Sequence, residues 1–413
     1  LSCRCFEAVS RTYNVATIMK LLFLTSRFPF PLEKGDKLRS YYFLRELSRK
    51  HQVILVSLNE TPVSEEHKQH IAEMVHSLHI FPLKRFSRTL NTFFALFQRR
   101  PLQAGYFYSR KARKAVLDII QSEQPDHVFC QLLRTALLVK NINIPKTLDY
   151  QDVFSYGVKR RIPKSNVLMS IILRIEYHKL RKFEERIFHW FDHTTIITET
   201  DRALMSVKDP NAIHIVSNGV DFEYFNPDLF QSTEKKYDLL FTGNMGYPPN
   251  VNCATYIAKE VMPAIRNTYP GLRVAFAGAN PAPAVVRFQS DHIHVTGWVE
   301  DIRPYYASSL IFLAPMQIGT GLQNKLLEAM AMGMPCITSS LANAALGAEP
   351  ETHLLVGDSP NEIASHIEKL LTDATFRSRI AENGKTFVRE RFSWKTQAER
   401  LEQLFHGEKE NNS

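Results

Sequence analysis

The stretch Gly319-Thr320-Gly321-Leu322-Gln323-Asn324-Lys325-Leu326-Leu327-Glu328-Ala329-Met330-Ala331-Met332-Gly333-Met334-Pro335 decides how this chain is read. It follows an apolar run at residues 310–314 that reads as a buried strand. Two glycines one residue apart let the backbone turn sharply and come close to a ligand. The spacing then predicts a helix from near Leu322, stopped by Gly333 and Pro335 before the next strand. The free N–H groups and positive dipole end of such a helix suit a phosphate. Lys325 falls in its first turn and adds a full positive charge. Glu328, three residues on, shares that face, and a carboxylate there can accept hydrogen bonds from two ribose hydroxyls. One helix face thus offers a diphosphate site and a ribose site a turn apart. The same residues also read as an ordinary loop and core helix, with Glu328 in a local ion pair, and spacing alone leaves both readings open. The segment is neither a Walker loop nor a GxGxxG dinucleotide fingerprint.

Around this stretch, short apolar runs alternate with amphipathic ones. Strands are expected at 237–241, 273–277, 292–295, 310–314 and 335–338, and helices at 252–268, 302–308, 322–332, 361–372 and 374–392. The first half repeats the alternation, with strands at 20–25, 52–58, 127–130, 146–150 and 193–198 and helices at 37–50 and 109–122. Strands alternating with helices imply parallel sheets covered on both faces. The bridge between the halves falls near 215–236, where Ser217-Asn218-Gly219 and Asn226-Pro227 supply turn chemistry. Two such domains place two sets of strand carboxyl ends across a cleft, the default ligand site.

Composition sets the outer limits. The chain has 413 residues, 44% hydrophobic and 23% charged, which suits two globular domains and excludes a mostly disordered chain. No apolar run approaches the roughly 20 residues a membrane-spanning helix needs; the longest, near Leu21–Leu24 and at 93–97, are broken by basic residues. Cys3, Cys5, Cys130, Cys253 and Cys336 show no metal-ligand spacing and read as reduced, buried thiols. Residues 1–18 lack periodicity and precede Met19, so they read as a non-native or unstructured extension. The net charge of +9 is uneven: residues 1–215 hold 34 Lys and Arg against 20 Asp and Glu, and the remainder holds 17 against 22. The basic half suggests an anionic partner. No recognition motif supports a nucleic acid.

The chain resembles the family-4 retaining glycosyltransferases. The residues that carry the likeness are the 319–335 stretch, Ser217-Asn218-Gly219-Val220-Asp221 with Phe225, Phe241-Thr242-Gly243-Asn244-Met245, Val295-Thr296-Gly297-Trp298-Val299, and the Pro29–Arg39 loop with its Gly35. More narrowly, GDKLRS (35–40), LDYQD (148–152) and GLQNKLLEAMAMGMP resemble sugar transferases of exosortase-associated (PEP-CTERM) exopolysaccharide systems. The resemblance implies an α/β protein of GT-B fold, two Rossmann-like doubly wound domains facing an interdomain cleft. Residues 19–215 would form the acceptor-side domain, 216–392 the donor domain, and a last helix at 393–410 would cross back to complete the first.

The resemblance also implies the site. Gly35, Gly243, Asn244, Gly297, Trp298, Val299, Gly319, Thr320, Gly321, Leu322, Gln323, Asn324, Lys325 and Glu328 would bind a UDP- or GDP-sugar. Asp149 and Asp152, at the end of a predicted strand, are candidates to orient or deprotonate an acceptor hydroxyl, or are simply turn or capping aspartates. Lys325 would stabilise the leaving diphosphate. Front-face transfer needs no glycosidase-like carboxylate pair, and no Asp-x-Asp is placed to bridge a metal, so neither metal nor cofactor is expected. Two departures stand out. The family's Glu-x7-Glu has Thr320 where its first Glu belongs, and 243–252 lacks the usual Arg and Lys. The acceptor would be a glycan or a lipid-diphosphate-linked sugar, and the enzyme cytoplasmic or peripheral at the inner face of the plasma membrane. The helix expected at 167–190 mixes Ile172, Ile175 and Trp190 with Arg174, Lys179, Arg181 and Lys182. It reads either as a contact with an anionic membrane or as a core helix with basic side chains outside. A GT-B-fold nucleotide-sugar epimerase and a non-catalytic sugar-nucleotide-binding scaffold are the alternatives in function.

Overall fold

The structure, a computed structural model, describes residues 18–83, 100–319 and 321–407. Thr320, nearly all of the expected extension at 1–18, the apolar stretch at 93–97 and the end of the 393–410 segment lie outside these residues.

Among the described residues, two all-parallel sheets organise the chain. The first has seven strands: β1 (Lys20–Thr25), β2 (Gln52–Asn59), β3 (Ser77–Pro82), β4 (His127–Gln131), β5 (Lys146–Asp149), β6 (His193–Ile196) and β7 (Ile213–Ile215), ordered β3-β2-β1-β4-β5-β6-β7. The second has six: β8 (Tyr237–Thr242), β9 (Val274–Ala277), β10 (Ile293–Val295), β11 (Ser309–Ala314), β12 (Cys336–Thr338) and β13 (Leu355–Val356), ordered β10-β9-β8-β11-β12-β13. The strands are continuous apolar runs because both faces of each sheet are covered. The expected α/β class, with two doubly wound Rossmann-like sheets, is the fold observed.

Three strands escape the pattern. β7 and β13 are too short to show a period, and β3 is an edge strand with mixed side chains. The helix expected at 252–268 starts earlier and is interrupted. Pro248–Tyr256 is α-helical, Ile257–Val261 widens into a π turn, and Met262–Arg266 resumes. Pro263 explains the interruption, because it has no N–H to donate and its ring crowds the preceding turn.

Chain order reverses between β1 and β4 in the first sheet and between β8 and β11 in the second. Such switch points open a crevice beyond the strand carboxyl ends. The link between the sheets is held firmly. Trp394 opens the last helix, Trp394–Phe405, which packs on Gly35–Ser48 in the first domain. Its indole stacks on Tyr42 at 4.9 Å and meets Phe43 edge-on at 5.6 Å. Leu401, Leu404 and Phe405 join the apolar cluster of Leu21, Phe23 and Leu55. Glu402 accepts from Lys50 at 2.8 Å and lies 3.3 Å from His51. Gly219 is obligatory in this link, since a Cβ there would sit 2.6 Å from the Trp394 nitrogen.

Candidate functional site

The two switch points face one cavity of about 510 Å³. Its floor begins where β8 ends. Gly243 leaves the strand with φ +144, and Gly278 leaves neighbouring β9 with φ +141. A Cβ on Gly278 would lie 2.0 Å from the Gly243 carbonyl oxygen, so the two loops touch only because residue 278 is glycine, and a Cβ on Gly243 would lie 2.7 Å from Asn250 Nδ2. Pro248 and Pro249 then start a helix without needing an N–H. Its Asn250 turns back: Nδ2 donates to the Asn244 carbonyl at 2.9 Å, and Oδ1 accepts from Lys325 Nζ at 2.5 Å.

Lys325 comes from the helix Asn324–Ala331, which begins two residues later than the expected start near Leu322 because Gln323 is extended (φ −90, ψ 96). Among the described residues no side chain caps its N-terminus; the Leu326 N–H donates to the Gln323 carbonyl at 2.9 Å, which leaves the N–H groups of Asn324 and Lys325 for a ligand. The Lys325 ammonium lies 4.7 Å from the centre of the Phe241 ring. Enclosure by protein atoms lowers its pKa to about 8, against the pull of Cys253 and Glu328. One turn on, Glu328 Oε2 accepts from the Tyr306 hydroxyl at 2.8 Å, and Thr242 Oγ1 lies 2.8 Å from the same hydroxyl. Burial raises Tyr306 well above its ordinary value, keeping it a donor. Burial also raises Glu328, while Tyr306 and Lys325 pull it back.

Most of the predicted donor residues meet here. Gly35, Gly243, Asn244, Trp298, Val299, Leu322, Gln323, Asn324, Lys325 and Glu328 line the cavity. Trp298 is 73% exposed, a broad aromatic face on the rim. Gly319 (φ +105) and Gly321 shape the loop behind the wall, and Gly297 (φ +71) turns the chain into Trp298; none of the three lines the cavity. A Cβ on Gly35 would meet nothing within 4 Å, so glycine there leaves open space beside the cavity.

The first-domain wall of Leu32, Glu33, Lys34 and Leu38 belongs to the Pro29–Arg39 loop that the resemblance singled out, whereas the sequence reading missed Tyr247 and Asn250 in the lining and Tyr306 as the partner of Glu328. The Pro248-Pro249 pair after a glycine turn was the available signal for Asn250. Tyr306 had none, because its role depends on β11 bringing it beside Glu328.

The predicted pair of aspartates separates. Asp149 is not a cleft residue. It is fully buried, with Oδ2 accepting from Arg39 Nε at 2.7 Å and Oδ1 from Arg39 Nη2 at 3.0 Å and Thr195 Oγ1 at 2.8 Å. Arg39 also donates to the carbonyls of Val216 and Ser217 and to Asn218 Oδ1, so it fastens the bridge between the sheets. Asn218 Nδ2 in turn lies 3.2 Å from Asn324 Oδ1, at the start of the cavity helix. Asp152 is exposed just past β5 and does not line the cavity. Neighbouring protein atoms raise its pKa, against the Val153 N–H and Arg160.

A smaller recess of about 330 Å³ lies beside the carboxyl ends of β1, β2 and β4, lined by Arg27, Glu60, Leu102, Gln103, Tyr106, Phe107 and Arg134. Arg27 pairs with Asp36 at 2.6 Å, one residue from Gly35, so the recess and the cavity share a loop. Arg134 is held by Gln103 at 3.0 Å between the rings of Phe107 and Phe154. Among the described residues, no group of three or more His, Cys, Asp or Glu comes together as a metal site. Among them, too, no helix is long and apolar enough to cross a membrane. Cys130, Cys253 and Cys336 are buried free thiols.

Comparison with known proteins gives this geometry a setting. A family model described as "Glycosyl transferases group 1" matches residues 236–373, the part holding Lys325 and Glu328. An uncharacterized 44.6 kDa protein in the cps region of Klebsiella pneumoniae is 22% identical over 391 residues, spanning 91% of this chain and 97% of its own. The D-inositol 3-phosphate glycosyltransferase of Corynebacterium glutamicum is 26% identical over 226 residues, 48% of this chain and 52% of its own. Among solved structures, Anabaena Alr3699/HepE in complex with UDP superposes with TM-score 0.66 at 12% identity, covering 94% of this chain and all of that one. The fold is GT-B.

Proposed function

We propose that this chain is a retaining glycosyltransferase that moves a sugar from a nucleotide-diphosphate sugar to a glycan or lipid-linked acceptor in exopolysaccharide synthesis. The observation that carries this reading is the single helix Asn324–Ala331, whose uncapped N-terminus, Lys325 and Glu328 all face one interdomain cavity. The group 1 family match over 236–373 and the cps-region relative support it.

The helix N-terminus and Lys325 would hold the diphosphate, Glu328 the ribose, and Trp298 with Val299 the base. The bond from the sugar C1 to the diphosphate breaks as the acceptor oxygen bonds C1 on the same face. The acceptor proton passes to the departing diphosphate oxygen. Catalysis would then rest on positioning and on charge stabilisation of the leaving group. The acceptor would enter from the first domain through the recess beside Arg27 and Arg134, with Asp152 further along the same edge. On this reading the transfer requires no metal, and it takes place on the cytoplasmic side, where an acceptor at the inner membrane face is within reach.

Thermal stabilisation by UDP, GDP and their sugars, on the wild type and Glu328→Ala, tests the donor site. A shift with one nucleotide, lost in the variant, supports the reading and selects the base. No shift with any nucleotide at millimolar concentration overturns it. With that donor, the anomeric configuration of the product and turnover in a chelator test retention and metal independence.

A further inference from the structure

We propose that the outer face of the helix Val167–Phe188 is a docking surface for an anionic lipid bilayer. The inference goes beyond the transfer reaction, since lipid binding can be measured without turnover.

The helix has two faces of opposite character. Leu173, Leu180, Phe183 and Ile187 are buried against the first domain. Val167, Leu168, Ile171 and Ile175 recur at helical spacing on the other side. They are 81%, 72%, 52% and 51% exposed, and Met169 beside them is 45% exposed. These five make up nearly half of the large, well-exposed apolar side chains among the described residues. A cluster of this kind is a binding surface rather than scattered surface hydrophobicity.

Charge names the occupant. Arg174 and Lys182 follow on the same outward line, and Arg181 and Arg186 flank it, all four exposed. Arg160 and Arg161, also exposed, precede the helix. Two of the three carboxylates of the helix, Glu176 and Glu184, are buried on the inner side. Glu176 accepts from the Leu102 N–H at 2.8 Å, and Glu184 from the Ser155 N–H at 2.9 Å. The outward face therefore combines an apolar tip with a predominantly basic flank. That pattern lies in a membrane interface, with the apolar groups at the acyl boundary and the cations on anionic headgroups.

The surface is preformed. Asn166 Oδ1 accepts from the Met169 N–H at 2.9 Å, so the apolar end is a capped helix. Its position also fits. The C-terminus of the helix lies just before β6, which runs from His193 to Ile196. Twenty-two residues rise about 33 Å, whereas the four of β6 span roughly 13 Å. The helix runs back along the sheet to reach β6, so its first turns overhang the strand carboxyl edge. That is the edge carrying the recess and the cavity. A bilayer seated there would bring a lipid-linked acceptor to the opening.

The test is flotation of the full chain with vesicles of phosphatidylcholine alone or mixed with phosphatidylglycerol. The wild type is expected to float with the anionic vesicles, not with the neutral ones, and to be released as salt rises. Leu168→Asp/Ile171→Asp should lose binding while keeping the wild-type melting temperature and nucleotide response. Arg174→Glu/Lys182→Glu should weaken binding by roughly tenfold or more and flatten its salt dependence. Failure of the wild type to bind anionic vesicles at low salt overturns the proposal, whatever the variants do. So does undiminished binding by both variants. A wild-type dimer that becomes monomeric in Leu168→Asp/Ile171→Asp, without vesicle binding, would assign the face to a second copy instead. Loss of the nucleotide response in the wild type would overturn the donor reading alone and leave lipid binding standing.

Discussion

The carboxyl edges of the two sheets occupy equivalent places in the fold and treat charge in opposite ways. In the first domain, Asp149 is consumed by Arg39, and Arg39 spends its remaining donors on the bridge to the second domain. Arg27 is likewise taken up by Asp36 at 2.6 Å and Glu60 at 3.5 Å. In the second domain, Lys325 and Glu328 rest on neutral partners, Asn250 and Tyr306. Burial also moves the pKa of each toward its neutral form. A charge already neutralised holds the protein together. A charge held by neutral hydrogen bonds in a cavity is left for a ligand. The position of a residue at a strand end does not separate these cases; its partner does.

That contrast can be broken at several points. The largest effect is expected for Asp149→Asn, which leaves the Arg39 guanidinium buried without its counter-charge. Loss of one partner of a buried pair costs about 3–5 kcal/mol, read from urea unfolding. A cost below about 1 kcal/mol would remove the structural role given to the pair. Next comes Glu328→Ala, expected to weaken nucleotide binding about 10- to 100-fold, the range for a lost hydrogen bond to a charged group. Calorimetric titration measures this, and the melting temperature should move far less than in Asp149→Asn.

Lys325 sharpens the comparison through pH. In the free protein its pKa is lowered to about 8, so at pH 7 it is cationic and ready for a diphosphate. Above pH 8 the free protein loses that proton and binding must take one up. Affinity for the nucleotide diphosphate should then fall by up to about tenfold per pH unit. Lys325→Arg, which stays charged, should show a flat profile over the same range. The sign for stability is the reverse. The folded state binds fewer protons than the unfolded one between about 8 and 10.5, so the cost of burying this cation fades as pH rises through that window. The smallest effect is expected at Asn218→Ala, which cuts the contact with Asn324 and one bond from Arg39, whose Nη1 keeps the Ser217 carbonyl and whose ion pair with Asp149 is untouched. A loss of about 0.5–1.5 kcal/mol is the usual range. A larger drop in nucleotide affinity than in stability would mean that the clamp positions the cavity helix.

The cavity's second-domain wall was legible in the sequence because its signals are local. Glycine turns, a helix start and two charged residues three apart keep their meaning wherever the segment packs. The first-domain wall was legible only through the family resemblance of the Pro29–Arg39 loop. Leu32, Glu33 and Lys34 carry no local pattern of their own and reach the cavity because the sheets face each other. The short strands β7 and β13 were hidden for a related reason, being held by pairing with neighbours rather than by any periodicity.

The sequence by itself therefore determined the alternation of strand and helix, the two parallel sheets, and the placing of Lys325 and Glu328 on one helix face. Each follows from periodicity or turn chemistry within a few residues. Only the tertiary structure decided that Asp149 is a clamp. Its partner Arg39 lies 110 residues away, and a strand-end carboxylate looks the same in sequence with or without a guanidinium to meet it. Only the tertiary structure, likewise, left Val167, Leu168 and Ile171 in solvent. Apolar composition creates a demand for burial, but the packing of the opposite helix face and the overhang past the sheet determine which residues the protein itself can cover.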